Sequence, residues 1–247
     1  MRRSDASFTT LEGTVVSLHS PRLNIAPYGA TNELGVKLEG KLHLFGSSNL
    51  EYTELIMESP AATVTGEYSL GGRRLLLAEA PDVEWKNGKQ IGTITSAFWE
   101  ASEFMVYSQI YNGTQEDLIA LFDRFEFLEA PDGLSMRPKQ GNKEELELIR
   151  DGRFAPAFSI HITGIGALTV YQLTVEQARQ LPAGAGETVR GGELFTQGVE
   201  SKYPMLLLVG ENTVTRIQPD EELDDSQVLE GVSELEVSAT SSTAWAA

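Results

Sequence analysis

Residues Glu103 to Phe127, EFMVYSQIYNGTQEDLIALFDRFEF, decide the fold, because they place a strand, a turn and a helix in direct succession. The first part, residues 104–111, is rich in aromatic and β-branched side chains, which are typical of strands. It ends at Asn112-Gly113, a dipeptide that favours a tight turn. The sequence therefore predicts a strand that closes in a turn.

The second part of the stretch predicts a helix over residues 115–125. The hydroxyl of Thr114 can accept a hydrogen bond from a first-turn amide, while Asp117 can reach back to the Thr114 amide. Acidic residues in the first turn suit the positive end of the helix dipole. An apolar stripe follows at spacings of i, i+3, i+4 and i+7, formed by Leu118, Leu121, Phe122 and Phe125. We expect this helix to pack on a sheet.

Upstream, periodicity and turn signals predict mostly antiparallel β structure. Residues 8–17 predict a first strand, and residues 51–58 fit either a strand or a short helix. Residues 36–45 alternate and predict one half-buried strand, with His43 on its polar face and Val36, Leu38, Leu42 and Leu44 on its apolar face. Two hairpins are predicted, one from residues 63–68 and 73–78 and one from residues 83–85 and 90–95 around Asn87-Gly88.

Downstream, the turn Pro131-Asp132-Gly133 precedes a predicted strand over residues 134–137. Residues 143–150 predict a short charged helix, and residues 158–173 predict two strands or one bent strand. Thr174 can cap a second short helix. The remaining segments are a glycine-rich loop over residues 182–192, a hairpin of residues 205–209 and 213–217, and residues 228–237, which could form an edge strand or be mobile.

These elements predict an α+β fold that is mostly β, with sandwich- or barrel-like antiparallel sheets and two or three short helices packed on them. Three regions are predicted. Residues 1–137 form a β-rich domain that contains the central strand-helix unit. Residues 158–218 form a second β-rich half, which belongs either to a separate domain or to the same one. Residues 219–247 form an acidic C-terminal arm.

Composition excludes several classes of function. The chain has 247 residues, no cysteine and a net charge of -17, so disulfides, thiolate catalysis and cysteine-ligated metals are absent. The negative charge argues against binding to nucleic acid or to anionic membranes. No signal peptide or transmembrane segment is evident in the sequence, and a cytoplasmic or virion protein is expected.

The sequence contains no recognisable nucleophilic or metal-binding constellation. Its histidines, His19, His43 and His161, stand at no ligand spacing, and no G-x-S-x-G motif occurs. The glycine pairs at 164 and 166 and at 184 and 186 lack the other residues of phosphate-binding loops. The acidic run from Asp220 to Asp225 lacks the spacing of a calcium loop. No residue is therefore assigned to catalysis, to a cofactor or to a metal.

The leading functional hypothesis is a non-enzymatic structural or interaction protein. We expect a β-rich subunit of a larger assembly, of the virion or phage-tail type, whose partners are copies of itself or other subunits. The acidic arm, which ends in Ser-Thr-Ala-Trp-Ala-Ala, could add a strand to a neighbour or be a solubilising tail.

Two alternatives stay open. One is a carbohydrate-active hydrolase that uses carboxylates beside Trp85 and Trp99, drawn from Glu84, Glu100 and Glu103. The other is a small-ligand-binding domain whose pocket lies between the sheet and the helix of residues 115–125.

Overall fold

The computed structural model describes residues 4–25, 30–58, 61–84, 86–150, 156–173, 181–182, 184–197, 205–220 and 223–241. These residues form two sheets and a few short helices. The second helix, predicted to begin at Thr174, lies outside the described residues.

The smaller sheet has five strands in the order β18-β2-β1-β10-β9. Strand β1 runs parallel to β10, and the other pairs are antiparallel. The strands are β1 (Asp5–Thr9), β2 (Val15–His19), β9 (Phe125–Ala130), β10 (Gly133–Pro138) and β18 (Glu236–Thr240).

The larger sheet is antiparallel and has thirteen strands among the described residues. In chain order they are β3 (Thr31–Leu38), β4 (Lys41–Asn49), β5 (Thr63–Leu70), β6 (Arg73–Val83), β7 (Gln90–Glu100), β8 (Phe104–Tyr111), β11 (Leu146–Leu148), β12 (Ala157–Ile162), β13 (Gly166–Gln172), β14 (Glu187–Val189), β15 (Gly192–Gln197), β16 (Met205–Val209) and β17 (Thr213–Pro219). The strand order is β14-β15-β16-β17-β13-β12-β3-β4-β8-β7-β6-β5, and β11 pairs with β3.

The α+β, mostly β class is confirmed. The larger sheet ends at β14 on one side and at β5 on the other, so the described strands do not close on themselves and the barrel alternative is excluded. The helices are α1 (Thr53–Glu58), α2 (Gln115–Asp123) and α3 (Asp225–Ser233), and a 3-10 turn, Leu50–Tyr52, precedes α1. No helix in the described part of the chain is long and apolar enough to cross a membrane.

The central unit forms as predicted. Strand β8 ends at Tyr111, and the next residue, Asn112, has a φ of 55°, which is the left-handed conformation of the turn. The Asp117 amide donates to the Thr114 hydroxyl at 3.2 Å, and the Thr114 amide donates to the Asp117 carboxylate at 2.9 Å. Hydrogen bonds from the Thr114 backbone and hydroxyl lower the pKa of Asp117. The sequence therefore specifies where α2 begins.

The predicted helix is too long by two residues. Helix α2 ends at Asp123, Arg124 caps it, and Phe125 is the first residue of β9. Phe125 is nevertheless buried beside Phe45, with ring centroids 5.2 Å apart, because β9 continues into the same core.

The single strand predicted over residues 36–45 is wrong. The chain reverses at Glu39-Gly40, where φ is 50° and 81°, and Leu38 pairs with Lys41 across the turn. This reversal changes the phase of the alternation. His43 therefore pairs with buried Val36, whereas two leucines assigned to the inward face, Leu42 and Leu44, are 41% and 48% exposed.

Two other elements differ from the prediction. Residues 8–17 contain parts of β1 and β2, joined by a turn in which Gly13 has a φ of 82°. Residues 143–150 form no helix and contain strand β11, because Leu146 to Leu148 pair with β3. Propensity alone did not indicate these tertiary pairings.

The remaining hairpins are confirmed. They are β5-β6, β6-β7 and β16-β17. Of the two alternatives for residues 158–173, the structure has two strands, β12 and β13. The segment predicted as a glycine-rich loop over residues 182–192 contains the short strand β14. The region predicted as an acidic arm contains α3, capped by Asp224, and β18, which pairs with β2. The division into domains stays a prediction.

The smaller sheet and the helices pack against the larger sheet through two main cores. One core joins β1, β2, β18 and α3 to strands β12 to β17, and its members include Phe8, Phe158, Leu168 and Val232. The other joins β9, β10 and α2 to strands β3 to β8, and its members include Phe45, Val106, Phe122 and Met136. The change from one core to the other falls between β1 and β10.

We predict that Phe122→Ala lowers the free energy of unfolding by about 3–5 kcal/mol, since the fully buried ring packs on Phe45 at 5.5 Å and on Phe127 at 5.7 Å. Exposed Glu116 on the same helix supplies the control, and Glu116→Gln should change stability by less than about 0.5 kcal/mol. Urea denaturation measures both. Equal small effects would contradict the packing of α2 on the sheet.

Candidate functional site

The three histidines are dispersed in the structure. His161 Nε2 lies 3.0 Å from Asp220 Oδ1, and His19 Nδ1 lies 2.6 Å from Asp5 Oδ1. Burial, with a smaller contribution from Lys41, lowers the pKa of His43. Among the described residues no serine hydroxyl is hydrogen-bonded to His19, and no group of three His, Asp or Glu side chains is placed to hold a metal.

Trp99 and Glu100 of the predicted sugar site are engaged in the fold. Trp99 is 6% exposed, stacks on Phe127 at 4.7 Å and donates its Nε1 hydrogen to the Leu70 carbonyl at 3.1 Å. Glu100 pairs with Arg74 at 3.2 Å. Trp85, the other aromatic residue of the predicted sugar site, lies outside the described residues. The ring of Trp99 therefore has no open face for a sugar.

In the described residues, the glycines considered for phosphate binding and the residues considered for a ligand pocket beside α2 have structural roles. Gly164 and Gly166 form the bend between β12 and β13, with φ of 93° and 126°. Gly184 has a φ of 111° in a bend before β14. The space between α2 and the sheet is filled by buried Leu118, Leu121 and Phe122.

The most distinctive feature is an open edge on strand β1. On one side β1 pairs with β2 through all five of its residues, from Asp5↔His19 to Thr9↔Val15. On the other side β10 pairs with it only at Thr9↔Gly133. Within the described residues, positions 5–8 of β1 therefore have no neighbouring strand on that side.

The hydrogen bonds at the ends of β1 show which residues bond to β2. The Ser20 amide donates to the Ser4 carbonyl, and the Thr10 amide donates to the Thr14 carbonyl, both at 2.8 Å. Backbone groups of successive residues in a strand point to alternate sides. The even-numbered residues of β1 therefore direct their amide and carbonyl groups towards β2.

The odd-numbered residues direct these groups to the opposite side. The Thr9 amide confirms this, because it donates to the Asp132 carbonyl at 2.9 Å in the turn before β10. The same alternation turns the amides and carbonyls of Asp5 and Ser7 towards the open edge. Strand β1 thus offers two residues whose backbone groups are arranged to pair with another strand.

A glycine determines where this pairing stops. Gly133 has a φ of 154°, and a Cβ at this position would lie 2.3 Å from the Thr9 carbonyl oxygen. Only glycine therefore permits the close contact between β1 and β10. The turn that precedes Gly133 leads the chain away from residues 5–8.

A cavity of about 920 Å³ lies along the open edge, and we name it the β1 groove. Its volume is within the range of about 300–1,000 Å³ that is usual for ligand sites. The β1 groove is bounded by strand β1, by the turn before β10 and by residues at the ends of β3, β4 and β8. Its lining residues on these other elements are Ala30, Asn32, Ser47, Ser48, Asn49, Glu103, Phe104, Pro131, Asp132 and Gly133.

Asn32 is a buried polar residue at the β1 groove. It is 7% exposed, and its Oδ1 has no hydrogen-bond donor among the described residues. A buried acceptor without a donor costs about 1–3 kcal/mol. Ser47, which pairs with Asn32 in the sheet and also borders the β1 groove, is 1% exposed.

Glu129 holds the turn that presents Glu103 and Phe104 to the β1 groove. Its Oε1 accepts from the Ser102 amide at 2.9 Å and from the Glu103 amide at 2.8 Å, and Arg73 lies 3.6 Å from Oε2. Desolvation raises the pKa of Glu129, but the backbone amides of Glu103 and Ser102 outweigh it, and the pKa is lowered overall. The charged carboxylate thus stabilises the turn.

Comparison of the chain with protein-family models, with curated proteins and with solved structures found no match. We therefore infer a function from the geometry of the β1 groove.

The β1 groove could not be predicted from the sequence. The β1 groove consists of backbone groups and of residues brought together from five separate segments, and none of these segments has a functional motif. The only local signal was the turn Pro131-Asp132-Gly133, which was predicted as a turn and not as a boundary of a site.

We predict that Gly133→Ala lowers the free energy of unfolding by about 2–4 kcal/mol, because the added Cβ would collide with the Thr9 backbone. Gly141 is the matched control, since its φ of 98° is also positive but nothing lies within 4 Å of a Cβ there. Gly141→Ala should show only the smaller backbone cost. Similar effects of the two variants in urea denaturation would contradict the close contact.

We also predict a pH-dependent effect of Glu129→Gln. At pH 7 the variant should be about 1–3 kcal/mol less stable, because charge-assisted bonds to two amides are lost. The pKa of Glu129 in the folded protein is below its ordinary value of 4.5, so this stability is present above pH 4.5 and is lost as pH falls through the folded pKa. Urea denaturation at several pH values should show the difference shrinking in acid. A constant difference would contradict the role of the charge.

Proposed function

We propose that this protein is a non-enzymatic subunit of a larger assembly, and that it binds an extended segment of a neighbouring chain in the β1 groove. The observation that carries the proposal is the open edge of β1. A segment that adds to a free strand edge gains main-chain hydrogen bonds, and adjacent pockets for alternate side chains supply specificity.

The dimensions of the β1 groove suit a short strand. Positions 5–8 of β1 have no pairing strand on this side among the described residues, and four residues of strand extend about 13 Å. Asp5 and Ser7 offer up to four backbone hydrogen bonds, because each contributes one donor and one acceptor. A bound segment would lie beside positions 5–8 of β1, in line with strand β10, which begins at Gly133.

A bound segment would also be held between the two sheets. Asn32, Ser47 and Asn49 approach the β1 groove from the larger sheet, and Asp132 approaches it from the turn of the smaller sheet. Phe104 supplies an apolar surface. The mixture of backbone edge, amides and an aromatic ring supports the recognition of a peptide more than catalysis on a small molecule.

The donor of the segment is a neighbouring subunit, either a second copy or a different protein. Strand addition by the acidic arm is one of the two roles that the sequence left open, but residues 225–233 and 236–240 of the arm form α3 and β18 on the same chain. Those residues are therefore occupied in this fold. The narrower expectation of a virion or phage-tail component stays a prediction from composition.

Strand addition is tested with the neutral peptide acetyl-Thr-Val-Thr-Val-Thr-amide and the full-length protein. We predict saturable binding in isothermal titration calorimetry, and loss of binding when alternate peptide nitrogens are methylated, because methylation removes the donors that face β1. Binding that survives methylation would contradict strand addition.

Two variants of one residue provide the matched protein control. Ser7→Pro removes an amide that faces the β1 groove and leaves the bonds between the even-numbered residues and β2 intact. Ser7→Ala keeps that amide. We predict that Ser7→Pro abolishes binding and that Ser7→Ala binds like the parent, with folding of both checked by circular dichroism. Equal binding by the two variants would place the peptide elsewhere.

A further inference from the structure

Two acidic side chains at the β1 groove are available to an occupant that donates hydrogen bonds. The carboxylates of Glu103 and Asp132 border the β1 groove, and neither has an ion-pair partner within the described part of the chain. An occupant that supplies donors would satisfy groups that the protein leaves unpaired.

The charge of the β1 groove has one sign. Among the described residues that line the cavity, the charged ones are Asp5, Glu103 and Asp132, and none is lysine or arginine. Asp5 is hydrogen-bonded to His19 and to the Ser4 hydroxyl, which lower its pKa and keep it ionised. A segment with carboxylates would meet like charge on both sides, which disfavours binding.

We infer that the segment bound in the β1 groove carries lysine or arginine residues. This inference rests on the proposed function, since it names the chemistry of the strand that the open edge accepts. Lysine and arginine side chains have donors and no acceptors, so they match the carboxylates of Glu103 and Asp132. The backbone of the segment pairs with β1, and its cationic side chains reach Glu103 and Asp132.

The net charge of the protein requires a specific control. With a charge of -17, the whole surface attracts cations at low ionic strength. Only the local carboxylates distinguish a basic strand in the β1 groove from one held loosely elsewhere. The variant Glu103→Gln/Asp132→Asn removes two charges at the β1 groove, and Glu116→Gln/Glu193→Gln removes two exposed charges on α2 and β15.

The experiment compares three peptides by calorimetry with the full-length protein. They are acetyl-Lys-Val-Thr-Val-Lys-amide, acetyl-Thr-Val-Thr-Val-Thr-amide and acetyl-Glu-Val-Thr-Val-Glu-amide. We expect the basic peptide to bind about three- to tenfold more tightly than the neutral peptide at low salt, and the acidic peptide to bind most weakly. The groove variant should lose the preference, whereas the distant variant should keep it.

The outcomes separate this inference from the proposed function. Equal binding of the three peptides, or a preference that the groove variant keeps, overturns the inference and leaves strand addition in place. Binding of the basic peptide that persists when its alternate nitrogens are methylated shows general attraction to the acidic surface and also overturns it. Failure of all three peptides to bind overturns the proposed function and the inference with it.

Discussion

The close contact between Gly133 and the Thr9 backbone is the constraint on which the smaller sheet depends. It is the one position at which β1 and β10 pair, and a side chain at Gly133 would meet the Thr9 carbonyl at 2.3 Å. Because β10 begins there, the sheet continues past the end of β1 and leaves residues 5–8 open. The pairing at Gly133, with hydrogen bonds from the Thr9 amide to the Asp132 carbonyl and from the Met136 amide to the Leu11 carbonyl, thus joins the two parts of the sheet beside the β1 groove.

The two cores explain why the interruption lies where it does. Strands β1, β2 and β18 pack with α3 against one part of the larger sheet, and β9 and β10 pack with α2 against another. Phe8 and Val232 belong to the first core, and Phe122 and Met136 belong to the second. Each set of strands buries its own apolar face, so hydrophobic burial does not require β1 and β10 to pair over their whole length.

The sequence predicted the parts of the fold that depend on local interactions. Thr114 and Asp117 form the predicted capping box, and the apolar stripe of α2 is buried as predicted. Local signals were weakest where a turn has no strong motif. Glu39-Gly40 was predicted as part of a strand, although the chain reverses there and Leu42 and Leu44 are exposed.

The candidate site could not be predicted in this way, because pairing between distant segments creates it. Nothing near Asn32 in the sequence indicates that its amide is buried at the end of β1, more than twenty residues away in the chain. Similarly, Trp99 appears in the sequence as a possible sugar platform, and only the packing of Phe127 over its ring shows that it belongs to a core. Burial and strand register are tertiary properties.

Amide hydrogen exchange, measured residue by residue by NMR with and without the neutral peptide, tests the open edge most directly. The amides of Ala6 and Phe8, bonded to β2, should be protected in both states, whereas those of Asp5 and Ser7 should exchange rapidly in the free protein and become protected when the peptide binds. Slow exchange at Asp5 and Ser7 in the free protein, or no change on addition of saturating peptide, would contradict the account.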